Sequence, residues 1–502
     1  MRTVLEEYLM QKKLTLKRFF EILIPLFTWA LITLPLWLSP FHPAVVAYFI
    51  IIFNVYFFYK SLRTVIMATV SYININRSKR IDWYGRVQKL TGFAEIRHFI
   101  IIPNYRESYQ KVKKTLDNLA RQRYPLKNIW IVLALEKSEG QTAVRRFLAL
   151  KKNAGGAFGG FLATYHQLLP GEEKGKASNE TYAAKEISRL AKRKHWDSQK
   201  VLITSCDADG LLDEQYFAYL TTNYLLDDKR IYHFYAAPVV LYNNYWQLNF
   251  VIRLQTTVSS ILRLALLSDK NNLIQISTYS MSLWLLESIN YWDVDIIPED
   301  WHVFLQAFFK HGARVKTVPI YLLCTRDGVR GKSLWDTFKS RYEQEKRWAW
   351  GVSDIPYALD QVFKTPQIPL PDKIFRLSSI IEGHILWPAS FFLLTVGANI
   401  PALVNPYFKR TVMGYLLPRV AGSILTLSVM FVLAIAYLDF QAKRRIMKRS
   451  ELKKFPLFVI QWLLFPLFSP FISAFLSSIP ALESHTRLLL GKKLSYKVTK
   501  KI

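Results

Sequence analysis

The stretch Lys200-Val-Leu-Ile-Thr-Ser205-Cys-Asp207-Ala-Asp209-Gly210 joins a short β-rich run to an acidic turn, and its reading decides the fold. The run reads as a buried strand, which leaves Asp207 and Asp209 just past its carboxyl end. Open α/β sheets bind their ligands at that end. Two earlier runs, His98-Phe-Ile-Ile-Ile-Pro103 and Asn128-Ile-Trp-Ile-Val-Leu-Ala-Leu135, read as strands of the same kind, with a helix over Lys111–Arg121 between them. From Ile96 to Pro366 such runs alternate with polar helical stretches, which predicts an α/β domain with a mostly parallel sheet. Asn153-Ala-Gly-Gly-Ala-Phe-Gly-Gly160 is expected to be a flexible loop, because no Lys-Ser/Thr follows at the spacing of a phosphate-binding loop.

Outside that domain the chain is apolar. Its 502 residues are 51% hydrophobic and 15% aromatic, more than a soluble enzyme carries, so the first expectation is a membrane protein. The formal charge of +30 does not require nucleic acid: Lys and Arg crowd beside apolar spans, where anionic head groups and orientation rules account for them, and no nucleic-acid module is present. Spans of membrane-crossing length run from Phe19 to Ser39, Ala44 to Tyr59 or beyond, Ile385 to Val404 and Val420 to Leu438. Phe455–Leu482, with four prolines, reads as a broken hairpin or interfacial segment.

Arg2, Lys12, Lys13, Lys17 and Arg18 precede the first span, whereas Ser39–Pro43 between the first two has no Lys or Arg. The positive-inside rule then puts the middle region in the cytosol, with the first span kept as an anchor. Basic residues from Lys443 to Lys454 and from Arg487 to Lys501 suit the same side, against a partial violation at Lys409, Arg410 and Arg419. The expectation is a multi-pass protein of the plasma membrane with a cytosolic catalytic domain. Its parts are 1–70 (tail and two crossings), 71–365 (catalytic domain), 366–482 (crossings or re-entrant helices) and 483–502 (cytosolic basic tail). Cys206 and Cys324 form neither a metal nor a disulfide framework and are expected reduced.

Three clusters carry chemistry. Asp207-x-Asp209 alone reads as an ordinary turn or helix cap, but at a strand end and beside the later motifs the two carboxylates suit Mg²⁺ or Mn²⁺ bridged to a diphosphate. Asp295-Ile-Ile-Pro-Glu299-Asp300-Trp301 reads as an acidic helix start leading into Val303–His311, and also as a general base that takes the proton of an attacking hydroxyl. Gln344-x-x-Arg347-Trp348 lies among basic and aromatic residues between Lys332 and Phe363. It reads either as an interfacial helix or as a clamp, Arg347 on pyrophosphate and Trp348 on a sugar.

In order and spacing, Pro103-Asn-Tyr-x-Glu107, Lys174-Gly-Lys176-x-x-Asn179, Asp207-x-Asp209, Glu299-Asp300 and Gln344-x-x-Arg347-Trp348 resemble the inverting family 2 glycosyltransferases. The last motif is similar to that of the membrane-bound, processive cellulose and hyaluronan synthase branch. The resemblance covers Arg97–Tyr357 and implies a GT-A-like nucleotide-sugar fold inserted between transmembrane helices. It implies a UDP- or GDP-linked donor, a divalent cation, and a glycan or lipid-linked acceptor. Pro103 and Glu107 would lie at the nucleotide, Lys176 and Asn179 near base or ribose, Asp207 and Asp209 at diphosphate and metal, and Glu299 and Asp300 at the catalytic position with Asp300 as base. Gln344, Arg347 and Trp348 would line the acceptor and diphosphate side.

Two positions depart from the family pattern. Glu136 stands where relatives carry nucleotide-holding aspartates, and is either their longer-armed substitute or a solvated loop residue. Gln275-Ile-Ser-Thr-Tyr-Ser280 replaces an acceptor patch. These leave open a single transfer to a lipid-phosphate carrier and a non-catalytic assembly or export subunit. The terminal Tyr496-Lys-Val-Thr-Lys500 resembles a gating loop and equally suits lipid binding.

Overall fold

The computed structural model describes residues 2–444 and 454–495. The basic segment 445–453 and the Tyr496–Lys500 sequence lie outside the described residues. The chain divides into two compact units, one of Val70–Tyr245 and Leu262–Gly328, the other of Met1–Thr69, Trp246–Ile261 and Val329–Ile502.

The first unit is built on a seven-stranded mixed sheet of β1 (Arg97–Asn104), β2 (Ile129–Glu136), β3 (Gly160–His166), β4 (Val201–Ser205), β6 (His233–Ala236), β8 (Tyr279–Ser282) and β9 (Lys316–Pro319). Their order is β3-β2-β1-β4-β8-β6-β9. β1 pairs parallel with both β2 and β4, and Phe99–Ile102 within it are fully buried, as apolar runs of parallel strands are when both faces are covered. β8 alone reverses, antiparallel to β4 and β6. A small second sheet pairs β10 (Cys324–Thr325) with β5 (Leu211–Leu212) and β7 (Val239–Val240).

β10 runs antiparallel to β5, and this reversal and that of β8 both matter for position. Because β8 is antiparallel to β4, with Tyr279 opposite Ser205, the residues leading into β8 meet the turn that leaves β4. Because Thr325 of β10 lies opposite Leu211, Arg326 comes beside Asp209.

The glycine-rich segment differs from its expectation. Residues 141–154 finish a helix, Gly155–Ala157 form a 3-10 turn, and Gly160 starts β3, a strand the apolar pattern alone did not reveal. These glycines make room for an indole. Trp130 lies opposite Gly160 and packs on Phe99 and Trp196 with ring centroids 5.3 Å away in each case. A Cβ on Gly160 would fall 2.1 Å from Trp130 Cε3, and one on Gly159 would fall 2.0 Å from Lys127 O. Gly160→Val is expected to cost about 1–3 kcal/mol through overpacking. The measurement is thermal unfolding of the detergent-purified protein.

Among the described residues, six helices are long and apolar enough to cross a membrane: Leu16–Leu38, Pro43–Ser78, Phe250–Ser268, Leu370–Gly397, Val412–Gln441 and Phe465–Leu489. Two of these differ from expectation. Phe250–Ser268 was hidden by Arg253, Gln255 and Arg263 within its apolar run. The proline-rich run forms consecutive helices, Phe465–Leu489 being long and apolar enough to cross, with Pro456, Pro466 and Pro480 each in a first helical turn, where no amide hydrogen is required.

Candidate active site

The centre of the site is a residue the motifs did not include. After β4 the chain turns through Cys206–Gly210, with Gly210 N–H donating to Asp207 O at 2.8 Å. Ser277, just before β8, meets this turn: its hydroxyl donates to Asp207 Oδ2 at 2.9 Å and its amide to Asp300 Oδ2 at 2.8 Å. Its carbonyl accepts from Lys176 Nζ at 3.0 Å. Ser277 has φ +67°, and Thr278 N–H donates to Ile276 O at 2.7 Å across it, forming a γ-turn of the strained hand. Such a conformation costs about 1–3 kcal/mol and persists where its surroundings over-determine it, as Asp207, Asp300 and Lys176 do here.

Lys176 opens the helix Lys176–Arg193 and collects carboxylates. Its Nζ lies 3.2 Å from Glu299, 3.3 Å from Asp207 and 3.6 Å from Glu180. Burial pulls its pKa down, but these charges outweigh burial and hold it well above its ordinary value. Glu180 is fully buried and accepts from Ser205 Oγ at 2.6 Å; burial pushes its carboxyl up to about 8 against the pull of Lys176. Burial also raises Glu299 and Asp300, again opposed chiefly by Lys176.

Asp300 lies in the first turn of the helix Glu299–His311, whose Val303, Phe304, Leu305 and Ala307 are buried. Its Oδ1 accepts from Trp301 N–H at 3.0 Å, so the helix-start reading of this carboxylate holds. Its other oxygen faces the Ser277 amide.

Arg326 completes the cluster. One terminal nitrogen ion-pairs Asp207, the other donates to Ser277 Oγ, and Nε lies 3.4 Å from Asp209 Oδ1. The Asp327 amide donates to Asp209 Oδ2 at 3.2 Å. As donors to a cation, Asp207 and Asp209 offer only carboxylate oxygen, the chemistry of a hard divalent ion. No group of three or more His, Cys, Asp or Glu with metal-holding geometry occurs among the described residues. The oxygen donors of the pair suit Mg²⁺ or Mn²⁺.

The fold thus brings together Lys176, Asp207, Asp209, Glu299 and Asp300. The other expected residues have different surroundings. Asn179 donates to Ala134 O at 3.0 Å and ties its helix to β2, where Ala134 lies opposite Pro103 of β1. Glu107 pairs with Lys111 at 2.7 Å.

Glu136 ends β2 and is no solvated loop residue. It receives His166 Nδ1 at 3.1 Å, while His166 Nε2 reaches Glu172 at 3.0 Å. Burial lowers the His166 pKa, but the two carboxylates outweigh it and hold the ring above its ordinary value.

Gln344, Arg347 and Trp348 belong to the helix Leu334–Ala349 in the second unit. There Arg341 donates to Gln344 and Glu345 and lies over the Trp348 ring, 4.7 Å from its centroid, while Gln255 donates to Glu345 at 2.7 Å. Arg341, Gln344 and Glu345 are buried, and Arg347 and Trp348 half-buried.

Sequence reasoning missed Ser277, Arg326, Glu180 and His166. Thr325-Arg326-Asp327-Gly328 has the composition of a plain turn, and a serine gives no signal of positive φ. Glu180 had one available signal, its place one turn after Lys176 on the same helix face.

The profile of glycosyl transferase family group 2 matches residues 202–472, more than half of the chain. The chain belongs to this family. It is a glycosyltransferase with a mixed α/β domain and helices capable of crossing a membrane. Among solved structures it is similar to the mannosyltransferase PcManGT from Pyrobaculum calidifontis in complex with GDP-Man and Mn²⁺. That match has 15% identity and a TM-score of 0.37, and covers 82% of this chain and 99% of that one. It is also similar to S. aureus TarS 1-349 in complex with UDP-GlcNAc, at 12% identity and TM-score 0.34, over 68% of this chain and 92% of that one. No curated protein matches the chain.

Proposed function

We propose that this glycosyltransferase moves a sugar from a UDP- or GDP-linked donor to a hydroxyl of a glycan or lipid-linked acceptor, with inversion in one displacement. The observation that carries the reading is Asp300, a half-buried carboxylate whose two oxygens are held by the Ser277 and Trp301 amides beside the Asp207–Asp209 turn. A carboxylate fixed this way is oriented without being neutralised by a direct ion pair, and burial raises its basicity, both of which suit proton removal from an attacking hydroxyl.

Lys176 and Arg326 offset the diphosphate charge, and Glu299 holds the Lys176 ammonium. A divalent cation bound by Asp207 and Asp209 would neutralise the leaving diphosphate. Pro103, Glu107, Glu136 and Asn179 border the nucleotide at the ends of β1 and β2. Gln344, Arg347 and Trp348 are assigned to the acceptor on the likeness of their motif to that of processive synthases, and the six helices capable of crossing a membrane suit a plasma-membrane protein with the sheet domain in the cytosol.

The test is binding of a panel of UDP- and GDP-sugars to the detergent-purified protein, with and without Mn²⁺, beside Asp209→Asn. One donor is expected to bind in a metal-dependent way and to lose about tenfold or more in the variant. Absence of binding by every donor would overturn the proposal.

A further inference from the structure

We propose that Arg326 is the resident cation of the Asp207–Asp209 pair, and that the metal enters only as the diphosphate draws the Arg326 guanidinium away. This inference rests on the donor and metal reading above. Arg326 spans the same two carboxylates that a metal needs, and its second terminal nitrogen is anchored on Ser277 Oγ. Its backbone is fixed: the Arg326 amide donates to Val240 O at 2.9 Å, and its carbonyl accepts from the Asn243 amide at 3.1 Å. Exchange therefore requires only a swing of the side chain.

A divalent ion added to this arrangement meets a guanidinium already on its ligands, so occupancy and charge both oppose it. The alternative partner must be a strong, forked acceptor, and a diphosphate is one, since guanidinium pairs with phosphate oxygens through two parallel hydrogen bonds. Once the guanidinium has moved to phosphate, Asp207 keeps Lys176 and Ser277 and Asp209 keeps the Asp327 amide, while the positions the guanidinium held at Asp207 Oδ2 and Asp209 Oδ1 pass to the metal, which then shares the same diphosphate. Metal and nucleotide binding are thereby coupled, and the coupling is reciprocal.

The test is titration of the full-length, detergent-purified protein with Mn²⁺, followed by the loss of the free-ion EPR signal, alone and with saturating UDP or GDP. The parent is expected to bind Mn²⁺ about tenfold or more tightly with the matching diphosphate than without it. Arg326→Gln is expected to bind Mn²⁺ without nucleotide about tenfold more tightly than the parent, and to gain less than about threefold on adding the diphosphate. Ser277→Ala frees the guanidinium from its anchor and keeps its charge, so its nucleotide-free affinity should lie between the two; it carries the test if Arg326→Gln does not fold.

Nucleotide-free Mn²⁺ affinity that stays at the parent value in the folded variants, with diphosphate-dependent binding intact in the parent, overturns the exchange and leaves the donor site standing. No Mn²⁺ bound by parent or variants under any condition overturns both.

Discussion

Asp300→Asn is expected to lower kcat by about 10²–10⁴-fold while donor affinity stays within about threefold of the parent. On the proposed assignment the Asp300 carboxylate acts only on the acceptor proton, whereas the cationic groups assigned to the diphosphate, Lys176 and Arg326, remain. One physical cost accompanies the change. Both Asp300 oxygens accept backbone amides, and an Asn must turn its own amide nitrogen toward one of them. The variant should therefore lose about 1–3 kcal/mol of stability, and its activity is to be measured well below its unfolding temperature.

A pH profile separates the base from a structural role. Burial holds Asp300 above the usual carboxylate range, so the ionised, active form is lost as pH falls through a value higher than about 4. The parent kcat should show that acid limb, and the residual activity of Asp300→Asn should be flat across it. Parent-like turnover by the folded variant would falsify the assignment.

The acidic motifs were legible because each combined residue type with position: Asp207 and Asp209 follow an apolar strand, and Glu299-Asp300 open an apolar-periodic helix. Both signals are local in sequence. What escaped was contributed by long-range pairing. Ser277 reaches Asp207 and Asp300 only because β8 runs antiparallel to β4, and Arg326 reaches Asp209 only because β10 pairs with β5. Hydrophobic periodicity carries no information on strand direction, so neither contact was predictable from the runs themselves.

The segment Gln275–Ser280, which departs from the family pattern, supplies the turn that links Asp300, Asp207 and Lys176. Gly159 and Gly160 show the opposite failure. Their composition signalled flexibility, while the structure uses them to seat Trp130. Phe250–Ser268 escaped because its polar residues interrupt the apolar count, and Gln255 and Arg253 find buried partners in Glu345 and Gln461.

Lys176→Met is expected to remove about 3–5 kcal/mol of stability, the cost of stripping the cation from buried carboxylates that have been placed around it. Lys176 lies within ion-pair reach of Glu180, Asp207 and Glu299, and its side chain is 11% exposed. Exposed Lys174, which meets the Tyr105 side chain, provides the control; Lys174→Met should change stability by less than about 0.5 kcal/mol.

The loss must also depend on pH in one direction. Burial already raises the folded-state pKa values of Glu180, Glu299 and Asp300, and without the ammonium these values rise further. A carboxyl group raised in the folded state binds its proton more tightly there than in the unfolded chain. Its contribution is therefore most favourable below the unfolded value near 4 and is lost as pH rises through the folded one. The gap in unfolding temperature between Lys176→Met and the parent should narrow steadily on acidification and should still be widening as pH rises through about 8, where Glu180 titrates in the parent. A gap that stays constant or widens toward low pH would mean that Lys176 acts through packing, and the ion network would lose its role in holding Asp207 and Glu299 in place.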